Sequence, residues 1–215
     1  MQDLIEGFKN VAIASIADAV DKVCGQRGYL SSSIKPRIND ERICGPAATV
    51  LEAATDEFVP PQHALDLIDE APSGSVIVIA IEGGQTDVAV WGGLMTAGAV
   101  ANGHVGAVLD GAVRDLTEIR RDYGFPIYAR DVSPGTTLGR YRTVASQVPV
   151  RVGDVVVHPG DIVVGDVDGV VVVPQNKAAE VLAVAQEIDV RELEQAKLII
   201  AEKSLRTGLA KYGRI

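Results

Sequence analysis

Aromatic side chains are scarce in this 215-residue chain: one Trp, three Phe and five Tyr make up 4% of it. The core must therefore be built from Val, Ile, Leu and Ala. Cysteine is limited to Cys24 and Cys44, without CxxC spacing and without clustered histidines. That pattern gives no support to a structural zinc site and predicts two buried free thiols. Basic residues are outnumbered, 20 Lys and Arg against 29 Asp and Glu, for a net charge of −9. Such a field repels polyphosphate and anionic lipid, so neither nucleic acid nor a membrane surface is expected as a partner. A long apolar run is missing too, because the longest uncharged stretch, residues 88–109, is broken by five glycines, Asn102 and His104. The first ten residues have neither the basic nor the apolar segment of a secretion signal, and the expected compartment is the reducing cytoplasm.

What is present is ordinary globular usage, 47% hydrophobic and 23% charged, with 22 Gly for tight turns. Without a low-complexity linker or a fixed repeat, residues 1–215 read as a single α/β domain. Residues 4–22 carry apolar positions at helical spacing and predict one or two helices. A strand follows at 45–52 and a short helix at 60–70, opened by Pro60 and Pro61. Residues 75–81, SVIVIAI, form a branched apolar run bounded by turn residues, the pattern of a strand buried on both faces. A glycine turn at 91–93, a small-residue helix over 94–102 and a second buried strand at 105–109 complete a βαβ unit. Residues 110–113 read as a loop, 114–123 as a polar helix and 126–129 as another strand. From 140 to 174 the composition turns all-β, and the residues after 174 form one or two amphipathic helices. The C-terminal helix, with Val181, Leu182, Val184, Ile188, Leu193, Ile199 and Ile200, is apolar enough either to cover its own sheet or to pack on another subunit.

The chemistry concentrates between Trp91 and Glu118. Two glycines entering a helix expose the backbone N–H groups of Gly92, Gly93, Leu94 and Met95, where the helix dipole adds partial positive charge. That is a socket for a carboxylate or phosphate, although a lone Gly-Gly is equally a simple tight turn. After the next strand come Arg114, Asp115 and Glu118. In an open α/β sheet the two loops face one crevice. On a helix, Asp115 and Glu118 would share a face and could hold one hard cation, with Arg114 beside them as a fork for a substrate carboxylate. The plainer alternative is an Arg/Asp/Glu first turn that only favours the helix start.

The spacing of Gly93, Arg114-Asp115 and Glu118, with WGGL before it and VGAVLDGAVRD inside it, resembles the RraA-like family. SIADAV from Ser15, GPAATV from Gly45 and PGDIVVGDVDGVVVVP from Pro159 extend the resemblance over most of the chain. The family includes metal-dependent aldolases acting on 4-hydroxy-4-methyl-2-oxoglutarate and 4-carboxy-4-hydroxy-2-oxoadipate. The resemblance implies a layered α/β fold of the swivelling β/β/α type, assembled as a homotrimer or dimer of trimers. It also implies a class II pyruvate aldolase using Mg²⁺ or Mn²⁺. Gly92, Gly93, Leu94 and Met95 match the substrate loop, Arg114 the catalytic substrate arginine, and Asp115 the metal residue. Better-known bacterial members carry Asp where this chain has Gly93. Glu118 resembles a branch in which a carboxylate three residues after the Asp compensates.

Retro-aldol cleavage of a 4-hydroxy-2-oxo acid leaves electrons on C3, which a cation on the C2 carbonyl and carboxylate oxygens stabilises, with Arg114 adding a second positive charge. The same chemistry would decarboxylate oxaloacetate. No His or Glu of this stretch is an evident base for the C4 hydroxyl, and water activated by the cation is the available candidate. His104 and His158 read as structural, Asp166 and Asp168 as turn formers, and Asp18 either as a cap or as facing a neighbouring subunit's site. Two other readings stand beside the aldolase. One is a non-catalytic regulator of an RNA-degrading enzyme, as in the members that name the family. The other is a methyltransferase, suggested only by VLDG at 108–111.

Overall fold

The computed structural model describes residues 1–84 and 87–210. The elements follow in the order α1 (Gln2–Lys9), α2 (Ile13–Cys24), β1 (Lys35–Pro36), β2 (Ile43–Ala54), α3 (Gln62–Glu70), β3 (Val76–Ile81), β4 (Ala89–Trp91), α4 (Gly93–Ala101), β5 (Gly106–Val113), α5 (Leu116–Asp122) and β6 (Ile127–Val132). The remainder is β7 (Tyr141–Ser146), β8 (Val150–Val152), β9 (Val155–Val157), β10 (Ile162–Asp166), β11 (Gly169–Val173), a 3₁₀ turn, α6 (Ala178–Glu202) and α7 (Leu205–Ala210). The end of the expected C-terminal helical region, residues 211–215, lies outside the described residues.

One mixed sheet runs β1-β6-β5-β3-β2-β10-β11, with β4 added to β5, β7 added to β2, and β8–β9 as a separate hairpin. The centre is parallel, β2 to β3, β3 to β5 and β5 to β6, as the all-buried β3 run predicted. The chain is thus an α/β fold in layers. One face carries α3, α4 and α5 over Ile77, Ile79, Ile81 and Leu109, where Trp91 stacks on Phe125 with ring centroids 6.2 Å apart. The other face carries the β8–β9 hairpin over Val76, Val78 and Val108. A third apolar layer packs α1, α2 and the first half of α6 on β10 and β11. Each large aliphatic side chain buried in these layers contributes on the order of 2 kcal/mol.

Residues 110–113, expected as a loop, instead continue β5, with all eight residues of the strand buried. Asp110 looked like a loop residue because its partner is remote: the carboxylate is ion-paired with Arg130 and accepts the Gly153 N–H. Gly111 lies in the strand because a Cβ there would come within 3.0 Å of Ile81 Cδ1. The extension lets β4 pair with the end of β5, Trp91 opposite Val113, so the chain leaves the sheet at Arg114. Both thiols are free; Cys44 is buried, its thiol pushed up to about 11 by desolvation, while Cys24 is only half-buried. In α6, Val181 and Ile188 are buried but Leu193 and Ile200 are exposed, so only its first half covers the molecule's own core. Among the described residues no helix is long and apolar enough to cross a membrane.

Candidate active site

The parallel strands β4 and β5 end side by side, and Arg114 N–H donates to Trp91 O at 3.0 Å. This brings Gly92, Gly93 and the start of α4 against Arg114 and Asp115. Trp91 Nε1 donates to Thr96 Oγ1 at 2.8 Å and Thr96 Oγ1 donates to Gly92 O at 3.0 Å, fixing the turn from beneath. At Gly92 a Cβ would lie 2.7 Å from Asp115 Oδ2 and 3.1 Å from Arg114 Nε, so close approach of the two loops requires glycine here.

Asp115 decides between the two readings of its segment. It occupies the N-cap position of α5 and is followed at N3 by Glu118, the sequence of a capping box, yet its side chain makes no capping bond. Its backbone is left-handed, φ 60°, a conformation Asp tolerates better than most residues but which still costs free energy. The carboxylate reaches across to α4, where Oδ2 accepts the Gly93 N–H at 2.9 Å and lies 3.5 Å from Arg114 Nε. A helix start alone needs none of this. The socket at α4 is therefore partly filled from within: Gly93 is engaged, while the Leu94 and Met95 amides have no acceptor among the described residues. As first-turn amides of α4, both N–H groups point toward the N-terminal end of the helix.

Arg114 and Asp115 are both half-exposed and Glu118 is exposed in the first turn of α5. Asp115 precedes the helix, so it does not share a helical face with Glu118 as the spacing suggested. Asp115 Oδ1 carries no partner among the described residues, and no group of three or more His, Cys, Asp or Glu converges there as a metal cage. One or two carboxylates on an open surface suit a hard cation that keeps most of its waters and takes its remaining oxygens from substrate. The residues present fit Mg²⁺ or Mn²⁺ in that manner. At Gly93 a Cβ would meet Asp115 Oδ2 at 3.6 Å, ordinary contact, so this position can accept a side chain. Gly93→Asp is expected to fold normally and to tighten Mn²⁺ binding by about tenfold in calorimetric titration, through a second carboxylate beside Asp115. Unchanged affinity would count against a cation being held beside Asp115.

Of the other residues considered, His104 is buried with Nε2 2.8 Å from Ile68 O, a structural role as expected. His158, also expected to be structural, is mostly exposed. Asp166 Oδ1 accepts the Asp168 N–H at 3.0 Å in the β10–β11 turn, and Asp18 is exposed within α2 and caps nothing. Sequence reasoning missed Glu52. Its side chain is fully buried, both oxygens lack partners among the described residues, and desolvation pushes its carboxyl up to about 8. It faces Thr143 across a β-bulge in the β2–β7 pair, and Thr143 Oγ1 accepts the His63 N–H at 3.1 Å. The only signal in the sequence was an acidic residue at the end of the apolar strand expected at 45–52.

The fold and this loop pair define an α/β protein in which two turns meet at the carboxyl ends of parallel strands, where ligands of open α/β sheets commonly bind. The sequence model of the RraA-like family (Aldolase/RraA) matches residues 13–172, and the chain belongs to that family. It is 36% identical over 205 residues to Protein DlpA of Legionella pneumophila, covering 95% of this chain but only about a third of DlpA (32%). A protein of Halalkalibacterium halodurans named "Putative 4-hydroxy-4-methyl-2-oxoglutarate aldolase" is 35% identical over 188 residues, with 86% of this chain and 83% of that protein covered. Among solved structures, one from Pseudomonas syringae pv. tomato superposes with a TM-score of 0.86 at 32% identity, covering 99% of this chain and 95% of that one. Streptomyces coelicolor RraAS2, described as an unusual member of the RNase ES inhibitor RraA family, gives 0.78 at 28% identity, covering 86% and 92%.

Proposed function

We propose that the chain is a carbon–carbon lyase that cleaves a 4-hydroxy-2-oxo diacid, such as 4-hydroxy-4-methyl-2-oxoglutarate, to pyruvate and a second 2-oxo acid. The observation that carries this reading is the Asp115 carboxylate, which forgoes capping its own helix to lie between Arg114 and the Gly93 amide. The aldolase names of several relatives agree with it. Asp115, with Glu118 nearby, would hold a divalent cation, which supplies Lewis-acid stabilisation to the negative charge that develops on the 2-oxo and carboxylate oxygens.

The chain's own groups bind and orient. Arg114 offers a planar fork to a substrate carboxylate, and the Leu94 and Met95 N–H groups donate to a second anionic oxygen at the positive end of α4. Cleavage breaks C3–C4: the C4 hydroxyl gives up its proton, that carbon becomes a carbonyl, and C3 carries the electron pair until it is protonated to the methyl group of pyruvate. Neither Arg114 nor Asp115 hydrogen-bonds an imidazole, which leaves water as the proton carrier. Oxaloacetate decarboxylation would use the same stabilised charge.

Pyruvate release from 4-hydroxy-4-methyl-2-oxoglutarate and from oxaloacetate, coupled to lactate dehydrogenase, tests the reading. Turnover is expected with Mg²⁺ or Mn²⁺, is expected to vanish with EDTA, and should fall at least about a hundredfold in Asp115→Ala. A protein inert on both compounds with either metal would overturn the proposal. The likeness to RraAS2 would then favour a regulator of an RNA-degrading enzyme.

A further inference from the structure

A cleft of about 650 Å³ opens between the β8–β9 hairpin, the loop leading into β10 and the segment before β1, and shares no residue with the Arg114 site. Its wall contains a buried carboxylate with an imidazole set on it. Asp161 is 5% exposed, and its oxygens accept the Gln175 N–H at 3.0 Å and the His158 N–H at 2.8 Å. The second of these oxygens also lies 3.5 Å from His158 Nδ1. One side of the ring is thereby held against the wall, while the imidazole is 61% exposed and Nε2 has no partner among the described residues. With Nδ1 facing the carboxylate, the ring has its other nitrogen available to whatever fills the cleft.

Two guanidinium groups line the same space. Arg27 is fixed in place: Nη1 lies 3.3 Å from Asp154 Oδ2, Nε donates to Tyr29 O at 2.8 Å, and its Cζ sits 4.3 Å from the Tyr29 ring centroid. Arg151 makes one long bond, Nη1 to Asp154 O at 3.5 Å, and has no carboxylate partner among the described residues. Both carboxylates of the cleft are already engaged, Asp161 by two backbone amides and Asp154 by Arg27. The groups left over are an uncompensated guanidinium and the outward side of an imidazole, with the Gln26, Gln175 and Asn176 amides around them. In a chain of net charge −9 this local reversal matters, because a ligand attracted here is repelled by most of the surface elsewhere.

We propose that this cleft is a second ligand site, for a small carboxylate- or phosphate-bearing dianion, with Arg151 as its charged partner, the outward ring nitrogen of His158 as a hydrogen-bonding partner, and Arg27 as the fixed wall between them and Tyr29. Arg151 supplies the fork geometry that suits both kinds of oxyanion. His158 offers the outward nitrogen of its ring as a second hydrogen-bonding partner for the same ligand. The inference is independent of the aldolase reading, since none of its residues touches Arg114 or Asp115.

The test is an NMR titration of the histidine ring signals, assigned with H158Q, against inorganic phosphate and separately against succinate. Saturable movement of the His158 signals is expected with at least one probe. The R151Q variant, altered at an exposed side chain and checked for an unchanged Tm, should bind at least about tenfold more weakly. Response to phosphate alone identifies a phosphate-bearing ligand, and response to succinate alone a dicarboxylate. Signals that stay fixed with both probes, or that move equally in R151Q, would overturn the site. Pyruvate release by R151Q should match the parent protein whichever way the titration falls.

Discussion

Arg114→Ala is expected to lower kcat/KM for pyruvate release by a factor of about 10² to 10³, or about 3–4 kcal/mol of transition-state stabilisation. The size follows from where the guanidinium sits. Arg114 is the first residue beyond β5, anchored through its own N–H to Trp91 O at 3.0 Å, so its backbone cannot drift. Its Nε is 3.5 Å from Asp115 Oδ2, which ties the near end of the side chain to the neighbouring carboxylate. A lysine there would keep the charge and lose the two-pronged geometry. Arg114→Lys is therefore expected to recover only part of the activity, with KM for the diacid raised more than kcat is lowered. Because the side chain is 41% exposed and its ion pair with Asp115 is screened, the melting temperature of either variant should stay close to that of the parent. Steady-state kinetics with both substrates checks the split. An equal fall for Arg114→Ala and for a remote exposed arginine such as Arg206→Ala would remove Arg114 from the site.

The loops of this site were legible because their signals are local. Gly92 and Gly93 before a small-residue run, and Arg114-Asp115 after a buried strand, mark two strand-to-helix turns whatever the rest of the chain does. The side-chain arrangement was not. It depends on the left-handed backbone at Asp115, which turns the carboxylate away from Glu118 and toward α4, and no i, i+3 spacing rule contains that turn. The fold divides in the same way. β3, β10 and β11 are branched apolar runs between turn residues and stand out in any window. β4 has three residues and is a strand only because the end of β5 is there to pair with it. That end was itself hidden, since Asp110 and Gly111 are locally loop-forming and become strand only through Arg130, Gly153 and the packing of Ile81. His158 illustrates a related limit: its neighbour Asp161 was in view three residues away, but the cleft that exposes the ring is made by Arg27, Arg151 and Gln175 from separate segments.

Glu52 should impose a pH dependence on stability that its removal abolishes. The carboxyl is fully buried on the helix-bearing face of β2, and no charged group offsets its desolvation, which raises it from 4.5 to about 8. The groups nearest it in register are Thr143 and, through that hydroxyl, the half-buried His63 of α3; Arg142 is engaged with Glu57, and Glu82 beyond β3 is exposed. In the unfolded chain the carboxyl ionises near 4.5, whereas in the folded protein it holds its proton until about 8. Between those values the native state binds more protons than the unfolded one, so stability falls as pH rises through the window and levels off above it. The shift corresponds to at most about 4–5 kcal/mol, a large share of a typical domain's total. Glu52→Gln has no proton to lose, and urea denaturation from pH 5 to pH 8.5 is expected to show a nearly flat contribution where the parent declines. Above pH 8 the variant should be the more stable by a few kcal/mol, and Glu52→Met, which also removes the two unpartnered oxygens, should gain at least as much. Parallel stability profiles for parent and Glu52→Gln across this range would mean that the carboxyl finds a partner or water in the folded protein and ionises there at its ordinary value.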